Sequence, residues 1–216
     1  MGAHKAFVAM GGALLPWRTF CTHNQYRRSA MTLPTLDDPF YYLANFHTLV
    51  AWIGARYDDL LSAEEAAFLE AFPTLPRASR ALLVRMIMRR GTLFRASKLR
   101  YAEIGAIPDA AGPLVAQGWV DDAPALTLEQ LFALSTKAEI VTAFRAHLET
   151  PSARKAELLA ALAPRFDEPR RFADWYPGSA ERVYSLNLME LCDRLRLMFF
   201  GNLRQDWSEF VLADLG

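Results

Sequence analysis

Cysteine is nearly absent from this 216-residue chain: Cys21 and Cys192 are its two thiols, far apart and in no C-x-x-C arrangement. A disulfide framework or a zinc knuckle needs more than that, so both are excluded as the device that holds the fold, and two reduced thiols in a cytosolic protein are expected. Long apolar runs are missing as well, and none approaches the roughly 20 residues that a membrane-spanning helix needs. Histidine is scarce, and His4, His23, His47 and His147 show no metal-ligand spacing. No G-x-S-x-G, Walker loop or G-x-G-x-x-G occurs, which removes three common signatures of hydrolases and nucleotide-binding proteins. The acidic pairs Asp58-Asp59, Glu64-Glu65 and Asp121-Asp122 fall at expected helix ends and turns, where capping and solvation account for them.

One absence is local. Between Glu70 and Glu103 there is no Asp or Glu, while Arg77, Arg80, Arg85, Arg89, Arg90, Arg95, Lys98 and Arg100 all lie there. The chain has 24 basic and 24 acidic residues, so outside that window only 16 basic residues face all 24 acids. A formally neutral protein thus carries a polarised patch. Such a patch attracts polyanions, and because neutralising phosphates releases counterions, nucleic acid is the first partner to expect. A solvated basic helix face is the plainer alternative.

The apolar fraction of 52% and aromatic fraction of 12% belong to a folded chain of one or two domains with a real core. Residues 1–34 are the exception. Lys5, Arg18, Arg27 and Arg28 surround a weak apolar stretch from Ala6 to Trp17 with no acid in the first 30 residues, a poor imitation of a signal or transit peptide. A disordered extension is expected there. Arginine outnumbers lysine 20 to 4, which fits a GC-rich genome.

From Asp38 the pattern becomes helical. Pro39 sits at a first-turn position after an acidic cap, and Tyr42, Phe46, Leu49, Val50 and Ile53 recur at three- and four-residue steps. Ser62 followed by Glu65 predicts a capping box and a second helix, which Pro73 and Pro76 end. The spacing predicts a third helix over Ser79–Arg90, apolar around most of its circumference, with Arg85 and Arg89 in a narrow strip and Gly91 as its stop. An extended piece and a further helix are expected within Thr92–Gly105. A short helix over Asp109–Gly118 and a turn at Asp121-Asp122 complete the element order of a winged-helix module, in which a helix enters a DNA groove and its neighbours hold the backbone. An ordinary small helical domain is the alternative. Two helices then open with a basic residue in the first turn, at Lys137 and at Arg154-Lys155, and such helix starts are natural phosphate contacts. A long helix is expected from Ala180 to about Phe200, with Val183, Leu186, Leu188, Leu191, Leu195 and Met198 buried. The segment from Asn202 ends on Val211, Leu212 and Leu215 with no polar closure, as a piece of a longer chain would.

These residues resemble the N-terminal half of the Fanconi-associated nuclease family, particularly its bacterial members. The resemblance is carried by Asp37-Asp38-Pro39-Phe40-Tyr41-Tyr42-Leu43, by Leu83-Val84-Arg85-Met86, by Ser97-Lys98-Leu99-Arg100-Tyr101-Ala102-Glu103-Ile104, and by the run from Phe199 to Phe210. It implies a mainly α chain: a helical region at 35–76, a winged-helix-like module at 77–125, SAP-type DNA-binding helices within 126–166, and the start of a helical-repeat region at 167–216. It also implies interstrand cross-link repair, through a separate VRR-type nuclease domain that cuts near 5′ flaps with Mg²⁺ or Mn²⁺. Metal-assisted phosphodiester cleavage needs carboxylates to hold the ions and a lysine beside the phosphate. That nuclease class supplies them with a D/E-x-K motif. The four lysines here, Lys5, Lys98, Lys137 and Lys155, follow Ala3, Ala96, Ser135 and Ala153 at that spacing, so the motif is absent.

The expectation is a chain that binds and orients branched or flap DNA without cutting it, through Arg85, Arg89, Arg90, Arg95, Lys98, Arg100, Lys137, Arg154 and Lys155. No catalytic or metal-ligating residue and no cofactor is expected in the chain itself, and no membrane partner. The alternative from another class is a helical interaction module whose basic patch meets an acidic protein.

Overall fold

In the computed structural model, residues 7–10, 13–16 and 38–211 are described. The extension expected at 1–34 lies outside them except for two strands, β1 (Phe7–Met10) and β2 (Ala13–Pro16), paired antiparallel with Phe7 opposite Pro16. The chain divides into two compact units, Met1–Leu75 with Glu190–Gly216, and Pro76–Met189.

The first unit is helical. Asp38 sets its start, because its carboxylate accepts from the Phe40 N–H at 2.9 Å and its carbonyl from the Tyr41 N–H, and α1 (Tyr41–Tyr57) follows. The predicted stripe is the buried one: Tyr42, Phe46, Leu49 and Ile53 are all fully buried. The expected capping box opens α2 (Ala63–Ala71), with Ser62 Oγ accepting from Glu65 N–H and Glu65 accepting from Ser62 N–H. Phe72 stands in the one-turn 3₁₀ segment after α2, at 5.3 Å from the Phe46 ring and 5.5 Å from that of Phe68. Trp207 completes the aromatic cluster at 5.6 Å from Phe46. Burying each such ring contributes about 1.5–3 kcal/mol.

The second unit begins with α3 (Arg77–Ile87), whose Ser79, Ala81, Leu82, Leu83, Val84, Met86 and Ile87 are buried. It ends three residues short of the expected Arg90, and Gly91 makes the reversal at φ +80°, which a side chain would strain. Next come β3 (Leu93–Arg95), a 3₁₀ turn at Ala96–Lys98 and α4 (Ile107–Ala116). The helix expected within Thr92–Gly105 shrinks to that turn. The Ser97 N–H goes to the Glu181 carboxylate, and Leu99 turns out of helical geometry at φ −95°, ψ 81° to bury its side chain.

A larger difference concerns Ala180–Phe200. Its first part is not helical: Val183–Leu186 forms the central strand of a three-stranded antiparallel sheet, between β3 and β4 (Val120–Asp121). Phe94 faces Tyr184 across it, and Val120 faces Leu186. The strand takes the name β7, after β5 (Ala125–Leu126) and β6 (Arg170–Arg171), which pair with each other. A central strand is covered on both faces, so Val183, Tyr184 and Leu186 are buried without the alternation that would have revealed them, and the Val183–Leu186 step imitates a helix. Helix begins only at Met189 and runs to Phe200.

Between β5 and β6 lie α5 (Leu128–Leu134), α6 (Lys137–Ala143) and α7 (Lys155–Leu162). Capping boxes start the first two, Thr127 with Gln130 and Thr136 with Glu139, and at the third Glu157 accepts from the Arg154 N–H at 2.7 Å. α8 (Phe172–Trp175) follows β6. Leu131, Phe132, Ile140, Phe144, Leu158, Leu162 and Trp175 form one core beneath them. α9 is then the Met189–Phe200 helix and α10 runs Trp207–Val211.

Candidate nucleic-acid interface

The nine expected contact residues all belong to the second unit, but their surroundings separate them into kinds. Arg85, on α3, is half-buried. Its guanidinium meets Glu103, the first acid beyond the acid-free window, at 2.8 Å and 3.2 Å, and lies over the Tyr101 ring at 5.2 Å. Arg95 is more deeply engaged, with a side chain only 13% exposed. Its Nη1 reaches Glu139 at 2.8 Å, its Nε reaches Glu181 at 2.9 Å, and it covers the Phe172 ring at 5.5 Å.

Those acids are held charged. Burial works to raise the Glu139 carboxyl, but the Thr136 N–H and the Arg95 guanidinium outweigh it and leave the group below the usual carboxylate value. Glu181 is likewise held low, its burial outweighed by hydrogen bonds from the Ser97 hydroxyl and N–H and by Arg95. Arg95 thus ties β3 to α6 and to the approach to β7, and its charge is spent inside the protein.

The lysines at the two helix starts show a reciprocal arrangement. Lys137, at the first position of α6, donates to the Ser152 carbonyl at 2.8 Å, and Lys155, at the first position of α7, donates to the Ser135 carbonyl at 2.7 Å. Each reaches the backbone just before the other helix and so joins the two starts. Arg154 is exposed beside them.

Arg89, Arg90, Lys98 and Arg100 are exposed. Arg89 Nη1 donates to the Lys98 carbonyl at 3.1 Å, and Arg100 Nε to the Ser97 carbonyl at 2.9 Å, so both brace the 3₁₀ turn. Arg90 and Lys98 make no side-chain hydrogen bond or ion pair among the described residues. Arg89, Arg90, Arg95 and Lys98 line one half-open cleft with Leu93, Phe94, Ala133 and Leu134, and no acid lines it. The exposed face of α4 is different: Pro108, Asp109 and Gly112 put one acid and no base there.

Sequence reasoning missed the acids at 139 and 181 that neutralise Arg95, and it missed Arg170, whose guanidinium stacks on Phe166 at 5.6 Å and Trp175 at 5.1 Å while exposed to solvent. The Arg-Arg pair flanked by Phe166 and Phe172 was its only signal. Cys192 is fully buried and its thiol is pushed up to about 12 by burial, so it is protonated and unreactive at neutral pH. No group of three His, Cys, Asp or Glu side chains is placed to hold a metal ion among the described residues. No helix among them is long and apolar enough to cross a membrane.

Comparison with known proteins agrees with this architecture. Residues 40–121 match the family described as FAN1, HTH domain, and residues 125–175 match the Fanconi anemia-associated nuclease SAP domain. A Fanconi-associated nuclease 1 homolog of Pseudomonas aeruginosa is 58% identical over 195 residues, covering 90% of this chain and 35% of that protein. The homolog of Arabidopsis thaliana is 31% identical over 188 residues, 81% of this chain and 21% of that protein, so the chain spans about a third or less of the curated relatives it matches. Crystal structures of paFAN1 bound to 2-nt and 1-nt 5′-flap DNA with a gap are 60% identical in sequence, with TM-scores of 0.81 and 0.79. They cover 85% and 83% of this chain, and the chain covers 34% and 33% of them. The chain therefore carries, in order, the helix-turn-helix and SAP domains of the Fanconi-associated nuclease family.

Proposed function

We propose that this chain is the DNA-binding N-terminal part of a structure-specific nuclease that acts on 5′-flap DNA in interstrand cross-link repair. The reading rests above all on one observation: exposed cations with no acidic partner among the described residues lie in a unit that holds the SAP match and the later part of the HTH match of a family whose relative was crystallised on 5′-flap DNA. Like charges held close repel one another, and a phosphate backbone relieves that repulsion while releasing counterions. The phosphate contacts are assigned to Arg89, Arg90, Lys98, Arg100 and Arg154, with Arg170 added. Arg85, Arg95, Lys137 and Lys155 act one step behind, holding the backbone that carries them.

The chain binds and orients DNA without cutting it. No D/E-x-K occurs, and the Mg²⁺ or Mn²⁺ chemistry is assigned to a nuclease domain outside these residues. A bacterial cytoplasmic location at the nucleoid follows from a DNA partner. Fluorescence anisotropy with labelled 5′-flap DNA checks the reading: binding that weakens steeply as salt rises is expected, and Mn²⁺ leaves the DNA intact. Failure to bind flap or duplex DNA at low salt, with capture of an acidic protein instead, selects the interaction-module alternative.

A further inference from the structure

Within that reading, on which it rests, we infer that the cleft between β3 and α5 is a discrete seat for a single phosphate group, built by Arg89, Arg90 and Lys98, and that Arg95 is its positioning residue rather than a ligand. A continuous basic track would need every arginine of the window turned outward. Arg85 and Arg95 are instead spent on Glu103 and on Glu139 with Glu181. What is left is concentrated: three exposed cations on the lining of one cleft of about 180 Å³, room for several waters at about 30 Å³ each and so for a tetrahedral anion.

The donors are braced before any ligand arrives. Arg89 uses Nη1 on the Lys98 carbonyl and, at 3.4 Å, on the Tyr101 hydroxyl, which leaves its Nε and Nη2 without a hydrogen bond among the described residues. Its guanidinium also rests on the Phe94 ring at 5.8 Å. That bond fixes the backbone of Lys98, and the Ser97 N–H fixed on Glu181 holds the same turn from the other side. Arg95, also on Glu181, therefore sets the turn and the cleft wall together. Leu93, Phe94, Ala133 and Leu134 supply apolar walls, which strengthen the attraction between a bound anion and the cations. Three cations with a planar fork among them suit a phosphate oxygen set better than a single carboxylate.

The test titrates the full chain with inorganic phosphate and follows the arginine side-chain N–H resonances by NMR. Arg89 and Arg90 should shift together and saturate, while Arg154, exposed elsewhere, shifts little. K98Q should weaken that binding about tenfold, as loss of one charged hydrogen bond does. R95K keeps the charge but loses the fork, and it should weaken phosphate binding while K98Q leaves the fold's melting temperature unchanged. Linear, unsaturated shifts equal at Arg89, Arg90 and Arg154 would overturn the seat. An R89Q/R90Q/K98Q chain that holds 5′-flap DNA as tightly as the wild type also overturns it while leaving DNA binding intact. Saturable phosphate binding by a wild-type chain that ignores flap DNA would keep the seat and sink the DNA reading.

Discussion

The two units use charge in opposite ways. In the first, charge closes the chain on itself: Glu65, 1% exposed, receives Arg194 from 129 residues away, and a neutral bond from the Asn45 amide to the Val211 carbonyl, across 166 residues at 3.0 Å, joins it. In the second, internal pairing consumes some arginines and leaves others in excess at a cleft. The difference teaches that a count of basic residues is not a count of contacts available to a partner. Arg89 and Arg95 stand six residues apart on one cleft, yet Arg95 meets two carboxylates and Arg89 meets a carbonyl and a hydroxyl. An arginine bound to neutral acceptors keeps its full charge for a phosphate.

Four outcomes break or sharpen that contrast. The largest concerns the first unit: Trp207→Ala removes a ring that is 2% exposed and should cost about 3–5 kcal/mol in chemical denaturation. The DNA affinity of the chain that stays folded should not change; a fall in salt dependence would mean that the first unit also holds phosphates. Next, Arg95→Ala leaves Glu139 and Glu181 facing each other without a cation, and should cost about 3 kcal/mol. Replacement of exposed Arg90 by alanine should stay within about 0.5 kcal/mol, and equal losses for the two would erase the distinction.

The pH response comes third. Glu65 is held below its usual value of 4.5 by the Arg194 guanidinium against the opposing effect of burial, and Glu139 and Glu181 are held low too. As pH falls through 4.5 the unfolded chain takes up these protons first, so the stability they contribute is complete above that value and is lost as pH drops through the lower folded values. Melting temperatures between pH 7 and pH 3 should be flat at first and then fall, with E65Q showing a shallower fall. A profile that begins to drop near pH 6 would point to other groups. Smallest is Thr136→Ala, which removes the cap of α6 and should cost about 1 kcal/mol. It should leave phosphate binding at Arg89 and Arg90 unmoved.

Much of the helical fold was legible because its causes are local. Ser62 and Glu65 are three residues apart, and the stripe of Tyr42, Phe46, Leu49 and Ile53 repeats at helical steps. Strand β7 was not, because its burial on two faces erases alternation and its partners lie about 65 to 90 residues back in sequence. The candidate site was legible as composition only. An acid-free window is visible in the sequence, but its neutralisation by Glu139 and Glu181 spans 44 and 86 residues, and no local pattern announces that. Which cations face solvent therefore had to wait for the tertiary structure.

The central claim is that pairing, not sequence proximity, decides which arginines reach a phosphate, and Arg85 and Arg90 test it most directly. Both lie in the same window, five residues apart, one on Glu103 and one with no acidic partner among the described residues. The measurement is the slope of log affinity against log salt for 5′-flap DNA, taken for wild type, R85Q and R90Q. R90Q should reduce the slope by about 0.9, the value for one lost phosphate contact, and R85Q should leave it unchanged. Equal reductions, or a loss confined to R85Q, would contradict the account.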